Sequence, residues 1–142
     1  DIAPTDEVLE IGAGSGFLTA CLARLARSVQ AIERHADFVA EAQRRLQSLE
    51  AANVRLEQGD AATWDTALRF DAILVGGAVA EVPERFARWL KPGGRLVLVR
   101  GASPVQEAIC LRNEADGPRI ERLFDPDIAY LRGFAPEARF TL

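Results

Sequence analysis

Three features of these 142 residues predict an α/β domain, a doubly wound and mostly parallel sheet closed by an antiparallel C-terminal hairpin. First, apolar runs of strand length alternate with segments of helical periodicity, as right-handed βαβ crossovers require. Second, Val8-Leu9-Glu10-Ile11-Gly12-Ala13-Gly14-Ser15-Gly16-Phe17 carries a strand through three alternating glycines into a helix. Third, residues 106–112 and 119–124 are strand-like runs flanking Asn113-Glu114-Ala115-Asp116-Gly117-Pro118, and Asp-Gly between such runs signals a hairpin.

The elements follow in order. A first strand ends at Ile11, and a helix over 17–27 places Leu18, Cys21, Leu22 and Leu25 at helical spacing. Ser28–Glu33 is a second strand that ends in an acid. A second helix, 37–50, carries Phe38, Ala42, Leu46 and Leu49. Val54–Gln58 is a third strand, followed by Gly59-Asp60-Ala61. The fourth, 68–75, is mostly apolar, as a central parallel strand buried on both faces should be. Gly76-Gly77-Ala78 after it are expected to leave open space for a substrate. A short helix over 83–90 has proline in a favoured first-turn position. Lys91-Pro92-Gly93-Gly94 then breaks that helix and turns into a fifth strand, 95–100. Residues 134–142 carry no assignable pattern.

The glycine turn is the centre of the functional reading. Glycine has no Cβ and adopts positive φ, so such a turn lets backbone approach a ligand closely. It sits at a helix N-terminus and at the carboxyl end of a parallel strand, where open α/β sheets bind cofactors. Taken alone, it also fits a glycine-rich turn with no ligand. The dinucleotide fingerprint G-x-G-x-x-G would need its third glycine where Phe17 stands, whereas this chain reads G-x-G-x-G. Glu10 precedes the first glycine by two, and a carboxylate on a strand buried on both faces is costly without a partner. Glu33 ends the second strand, where a carboxylate can accept both hydroxyls of a ribose; alone, it also reads as a helix-initiating acid ahead of Asp37. Asp60 alone reads as a polar turn residue. Three acids at three successive strand ends form an ordered set that separate turns do not explain.

Composition excludes several classes. The chain is 49% hydrophobic, yet no apolar run nears the ~20 residues of a membrane helix. A net charge of −4 argues against a nucleic acid gripped by a basic surface. Cys21 and Cys110 lie far apart and are expected to be two buried free thiols in a reducing cytoplasm. His35 is the single histidine and no C-x-x-C occurs, so no metal is expected. With no methionine and a strand starting close to Asp1, residues 1–142 are expected to form one cofactor-binding domain lacking an upstream N-terminal segment.

The glycine motif resembles the first motif of S-adenosylmethionine-dependent methyltransferases, and over nearly its whole length the chain closely resembles the protein-L-isoaspartate O-methyltransferase family. The carrying residues are 8–16, Ala31-Ile32-Glu33-Arg34, Asn53-Val54 with Gly59-Asp60, Phe70-Asp71-Ala72-Ile73-Leu74-Val75 and Glu81-Val82-Pro83. Leu90-Lys91-Pro92-Gly93-Gly94-Arg95-Leu96-Val97 and Gln106 complete the set. The resemblance implies a Rossmann-like methyltransferase sheet, S-adenosyl-L-methionine as cofactor, and methylation of the free carboxylate of L-isoaspartyl residues in damaged proteins or peptides, a repair activity. It further implies that Gly12, Gly14 and Gly16 line the methionine end and that Glu33 takes the ribose. Asp60 would face the adenine amine and the Ala61 N–H a ring nitrogen, with Glu10, Arg34 and Gln106 belonging to the same cofactor site. A carboxylate acceptor is already ionised at pH 7 and needs no general base, which suits a chain with no Ser-His-Asp set and no Cys-His pair. After the fourth strand the family shows Thr-Ala-Ala-Pro or similar, where this chain has Gly76-Gly77-Ala78-Val79-Ala80. Two other functions stay open on the residues alone: a related methyltransferase with another protein or small-molecule acceptor, and a catalytically silent cofactor-binding domain.

Overall fold

The computed structural model describes residues 1–138. Its elements run β1 (Glu7–Ile11), α1 (Phe17–Leu25), β2 (Ser28–Glu33), α2 (Ala36–Ser48), β3 (Val54–Gln58), β4 (Phe70–Val79), α3 (Glu84–Arg88), β5 (Leu90–Ala102), β6 (Val105–Glu114) and β7 (Gly117–Phe124). One seven-stranded sheet has the order β3-β2-β1-β4-β5-β6-β7. The strands β1 to β5 pair in parallel, and β6 is antiparallel to both β5 and β7. Strand order reverses between β1 and β4, so the crevice at their carboxyl ends is where a ligand is expected. No helix of the described residues is long and apolar enough to cross a membrane.

Alternation along the strands divides the core. Leu9, Ile11, Ile32, Ile73, Leu96, Leu98 and Ile109 face one way and pack with Phe86 and Trp89. Those two rings stack at 5.3 Å. Val8, Val29 and Ala72 face the other way and meet Leu22 and Ala26. At the amino end of the sheet, the Lys91 ammonium reaches Glu7 at 2.7 Å and Asp71 at 2.9 Å, and Arg95 reaches Asp6 at 2.8 Å. These pairs tie β1, β4 and β5 together at the end opposite the crevice.

Several expectations are corrected. On α1 the buried residues are Thr19 and Leu22, followed by Ala26, while Leu18 and Leu25 are exposed. The inward line is rotated because Thr19 answers the buried Glu10. Cys21 therefore lies exposed, and only Cys110 is a buried thiol. The strand β4 does not stop before the glycines but runs through them to Val79. A Cβ on Gly76 would lie 2.6 Å from the Gly12 carbonyl oxygen, and one on Gly77 would lie 2.8 Å from the Leu131 nitrogen. The glycines allow main chains to touch: Gly77 and Ala78 are buried, whereas Gly76 stays exposed, so the expected open space survives at Gly76 alone. Nor is 91–94 a turn ahead of β5: it is a bulge within it, four residues opposite the single Asp71 between the pairs Phe70↔Leu90 and Ala72↔Arg95. Pro83 caps α3 rather than opening its first turn.

Candidate functional site

At the carboxyl end of β1 the chain turns sharply, and the Gly12 and Ala13 N–H groups both donate to the Ile32 carbonyl at 2.9 and 3.1 Å. Gly14 sits at φ 55° with nothing within 4 Å of a notional Cβ, so the loop is open there. Gly16 has a different task. Its Cβ would meet the Ala42 Cβ at 2.8 Å, so this glycine lets α1 and α2 approach. Arg45 of α2 reinforces the loop by donating to the Ser15 carbonyl at 2.7 Å.

Glu33 locks this loop to the end of β2. One carboxylate oxygen accepts the Gly14 N–H at 2.9 Å, and the other accepts the His35 N–H at 2.9 Å. A carboxylate offers about four lone-pair positions, so each oxygen keeps one free. At the end of β3, Asp60 accepts the Ala62 N–H at 2.8 Å and lies 3.7 Å from the Arg34 guanidinium. The Ala61 N–H makes no hydrogen bond among the described residues.

These strand ends converge. Gly12, Gly14, Glu33, Arg34, Asp60 and Ala61 line one cavity of about 290 Å³, at the small end of the ~300–1,000 Å³ typical of small-molecule sites. Three of the expected residues lie elsewhere. Gly16 packs between helices, as described. Glu10 is buried with 1% exposure and turned toward α1, its carboxylate 2.5 Å from the Thr19 hydroxyl. Burial pushes its pKa up to about 7, against the lowering effect of the Thr19 hydrogen bond and with a smaller upward push from Glu33. Gln106, 3% exposed, joins its side-chain amide to the backbone of Ile128 and does not border the cavity.

The cavity also has a wall that no sequence pattern announced. Ala129, Tyr130, Leu131 and Arg132 line it together with Phe38. This stretch bonds to β4 through the Ala78 N–H to the Ala129 carbonyl (2.9 Å) and the Leu131 N–H to the Ala78 carbonyl (2.8 Å). The one local hint was the glycine at 77, which permits that approach. Four clefts among the described residues are larger, of about 820, 770, 590 and 350 Å³; the two largest both border Ala80-Glu81-Val82, and none of the four gathers the strand-end acids and glycines.

A family model described as protein-L-isoaspartate(D-aspartate) O-methyltransferase matches residues 1–129. The chain is 42% identical over 118 residues to a protein-L-isoaspartate O-methyltransferase of Trichlorobacter lovleyi, covering 82% of this chain and 54% of that one. It spans about half the length of the curated relatives it matches. Among solved structures, it is similar in fold to a protein-L-isoaspartate O-methyltransferase with a TM-score of 0.83, 24% identity, and coverage of 93% of this chain and 44% of the other. A Thiobacillus denitrificans methyltransferase in complex with S-adenosyl-L-homocysteine matches with a TM-score of 0.58 and 22% identity, over 70% of this chain and 43% of that one. With a family model matched over most of its length, the chain belongs to the protein-L-isoaspartate(D-aspartate) O-methyltransferase family.

Proposed function

We propose that the cavity at the carboxyl ends of β1, β2 and β3 binds S-adenosyl-L-methionine, and that the protein methylates the free carboxylate of L-isoaspartyl residues in proteins or peptides. The observation that carries the cofactor reading is the convergence of three strand ends on one cavity, with the Glu33 carboxylate held in place by two backbone N–H groups and keeping acceptor capacity on each oxygen. The residues fit the group. Glu33 would accept ribose hydroxyls, the open Gly14 with Gly12 would admit the methionine end, and Asp60 with the unpaired Ala61 N–H would face the adenine. Arg34 would orient Asp60, while Glu10, turned away, supports the loop through Thr19. S-adenosylmethionine supplies, when bound, a methyl group on a sulfonium sulfur. The protein's part is to hold cofactor and acceptor in line and to exclude water, because the acceptor carboxylate is already ionised at neutral pH. The two unpaired thiols favour a reducing compartment, the cytoplasm.

Calorimetry with S-adenosylhomocysteine tests the cofactor assignment, and tighter binding of NAD would overturn it. For the acceptor, matched peptides carrying isoaspartate or ordinary aspartate are compared. Methylation of the isoaspartyl peptide alone is expected. Equal methylation of both, or of neither by the full-length enzyme, would refute the substrate class.

A further inference from the structure

We propose that Gln106 is a positioning residue for the cofactor site: its side-chain amide sets the register of the strap over residues 128–134, which forms one wall of the cavity. The proposal rests on the cofactor reading above. Gln106 sits at the start of β6 and is almost wholly buried. Its Oε1 accepts the Ile128 N–H at 2.8 Å, and its Nε2 donates to the Ile128 carbonyl at 3.1 Å. One primary amide thereby pairs both polar groups of one backbone residue, as a neighbouring strand would. Such pairing matters because the Gln106 amide is itself buried, and a buried polar group without partners is costly.

The next three residues depend on that register. Ala129 and Leu131 bracket Ala78 of β4 through two backbone hydrogen bonds. Leu131 Cδ1 comes to rest 3.5 Å from where a Cβ on Gly12 would stand. Tyr130, between them, is one of the residues that line the cavity, and its hydroxyl reaches the β5–β6 turn, where it accepts the Ser103 N–H at 2.7 Å and donates to the Gly101 carbonyl at 3.0 Å. Further along, the Ala80 N–H donates to the Phe134 carbonyl at 2.7 Å. The strap is thus stitched to β4 by main chain, but its entry point is set by Gln106 and the β5–β6 turn. A slip at Ile128 moves Tyr130 and Leu131 together, because they follow it within three residues.

Tyr130 is the single tyrosine, so protein labelled with 3-fluorotyrosine gives one fluorine resonance that reports the strap. Gln106→Met keeps the side-chain length but offers neither donor nor acceptor. It is expected to shift that resonance and to weaken S-adenosylhomocysteine binding about ten-fold, measured well below the thermal midpoint. Saturating ligand is expected to return the resonance toward its parent position, since a ligand that prefers the closed strap must favour it. Gln106→Asn keeps both donor and acceptor on a side chain one methylene shorter. A smaller change in the same direction is expected, and this variant carries the test if the methionine variant does not fold. A lower thermal midpoint with unchanged affinity and unchanged resonance would show a merely structural glutamine and overturn the proposal. So would weakened binding with an unmoved resonance. If the parent protein itself binds no S-adenosylhomocysteine, the cofactor reading fails, while the fluorine shift still decides whether Gln106 sets the strap.

Discussion

Replacing Glu10 by glutamine is expected to make the protein more stable at neutral and alkaline pH, and to remove a pH dependence that the buried carboxyl imposes. Burial raises the Glu10 pKa from 4.5 to about 7. The folded state therefore holds a proton in a range where the unfolded chain has released it. Stability from this group is complete below about 4.5, declines as pH rises toward 7, and is flat above. At 1.36 kcal/mol per pKa unit the full swing is about 3 kcal/mol, an upper figure because the surroundings relax around the charge. Glutamine has the same shape, carries no charge, and offers a carbonyl oxygen to the Thr19 hydroxyl. The assay is urea unfolding between pH 5 and 8, followed by the fluorescence of Trp64 and Trp89. Other groups that titrate in this range are common to both proteins and cancel in the difference. Glu10→Gln should match the parent near pH 5 and exceed it by about 1–3 kcal/mol at pH 8. Parallel curves for the two proteins would refute the reasoning, since they would place the Glu10 carboxyl in an environment no less polar than water.

Further expectations are more local. Glu33→Ala should weaken S-adenosylhomocysteine binding by about 1–3 kcal/mol, the usual effect of removing one partner of a charged hydrogen bond, read by calorimetry. Gly16→Val should destabilise the fold by about 1–3 kcal/mol through overpacking against Ala42, seen as a lower denaturant midpoint; Gly14→Ala meets no neighbour but is strained at φ 55°, and should cost about 1–2 kcal/mol of stability as well as affinity. In native protein a thiol reagent should modify the exposed Cys21 at once, and the buried Cys110 only after denaturant is added; equal rates would contradict the fold around β6.

The strand ends that make the candidate site were legible in the amino-acid order because each is a local code. Gly12-Ala13-Gly14 follows an apolar strand, Glu33 closes another, and Asp60-Ala61 follows a third. Backbone propensity and spacing alone carry such a pattern, and the parallel sheet then brings the three ends together. Three other matters were decided only by the folded chain. Glu10 and Gly16 sit in the motif, yet the packing of α1 turns the first toward Thr19 and sets the second against Ala42. Gly76 borders the cavity as open space, but Gly77 and Ala78 are covered, because a sequence does not show which backbone will arrive there. Gln106 meets Ile128 across 22 positions of chain, and residues 129–132 gain their place in the cavity wall from hydrogen bonds to Ala78. Contacts between distant segments leave no periodic trace in either segment. The position of a strap is a property of the register between strands, which exists only once the sheet has formed.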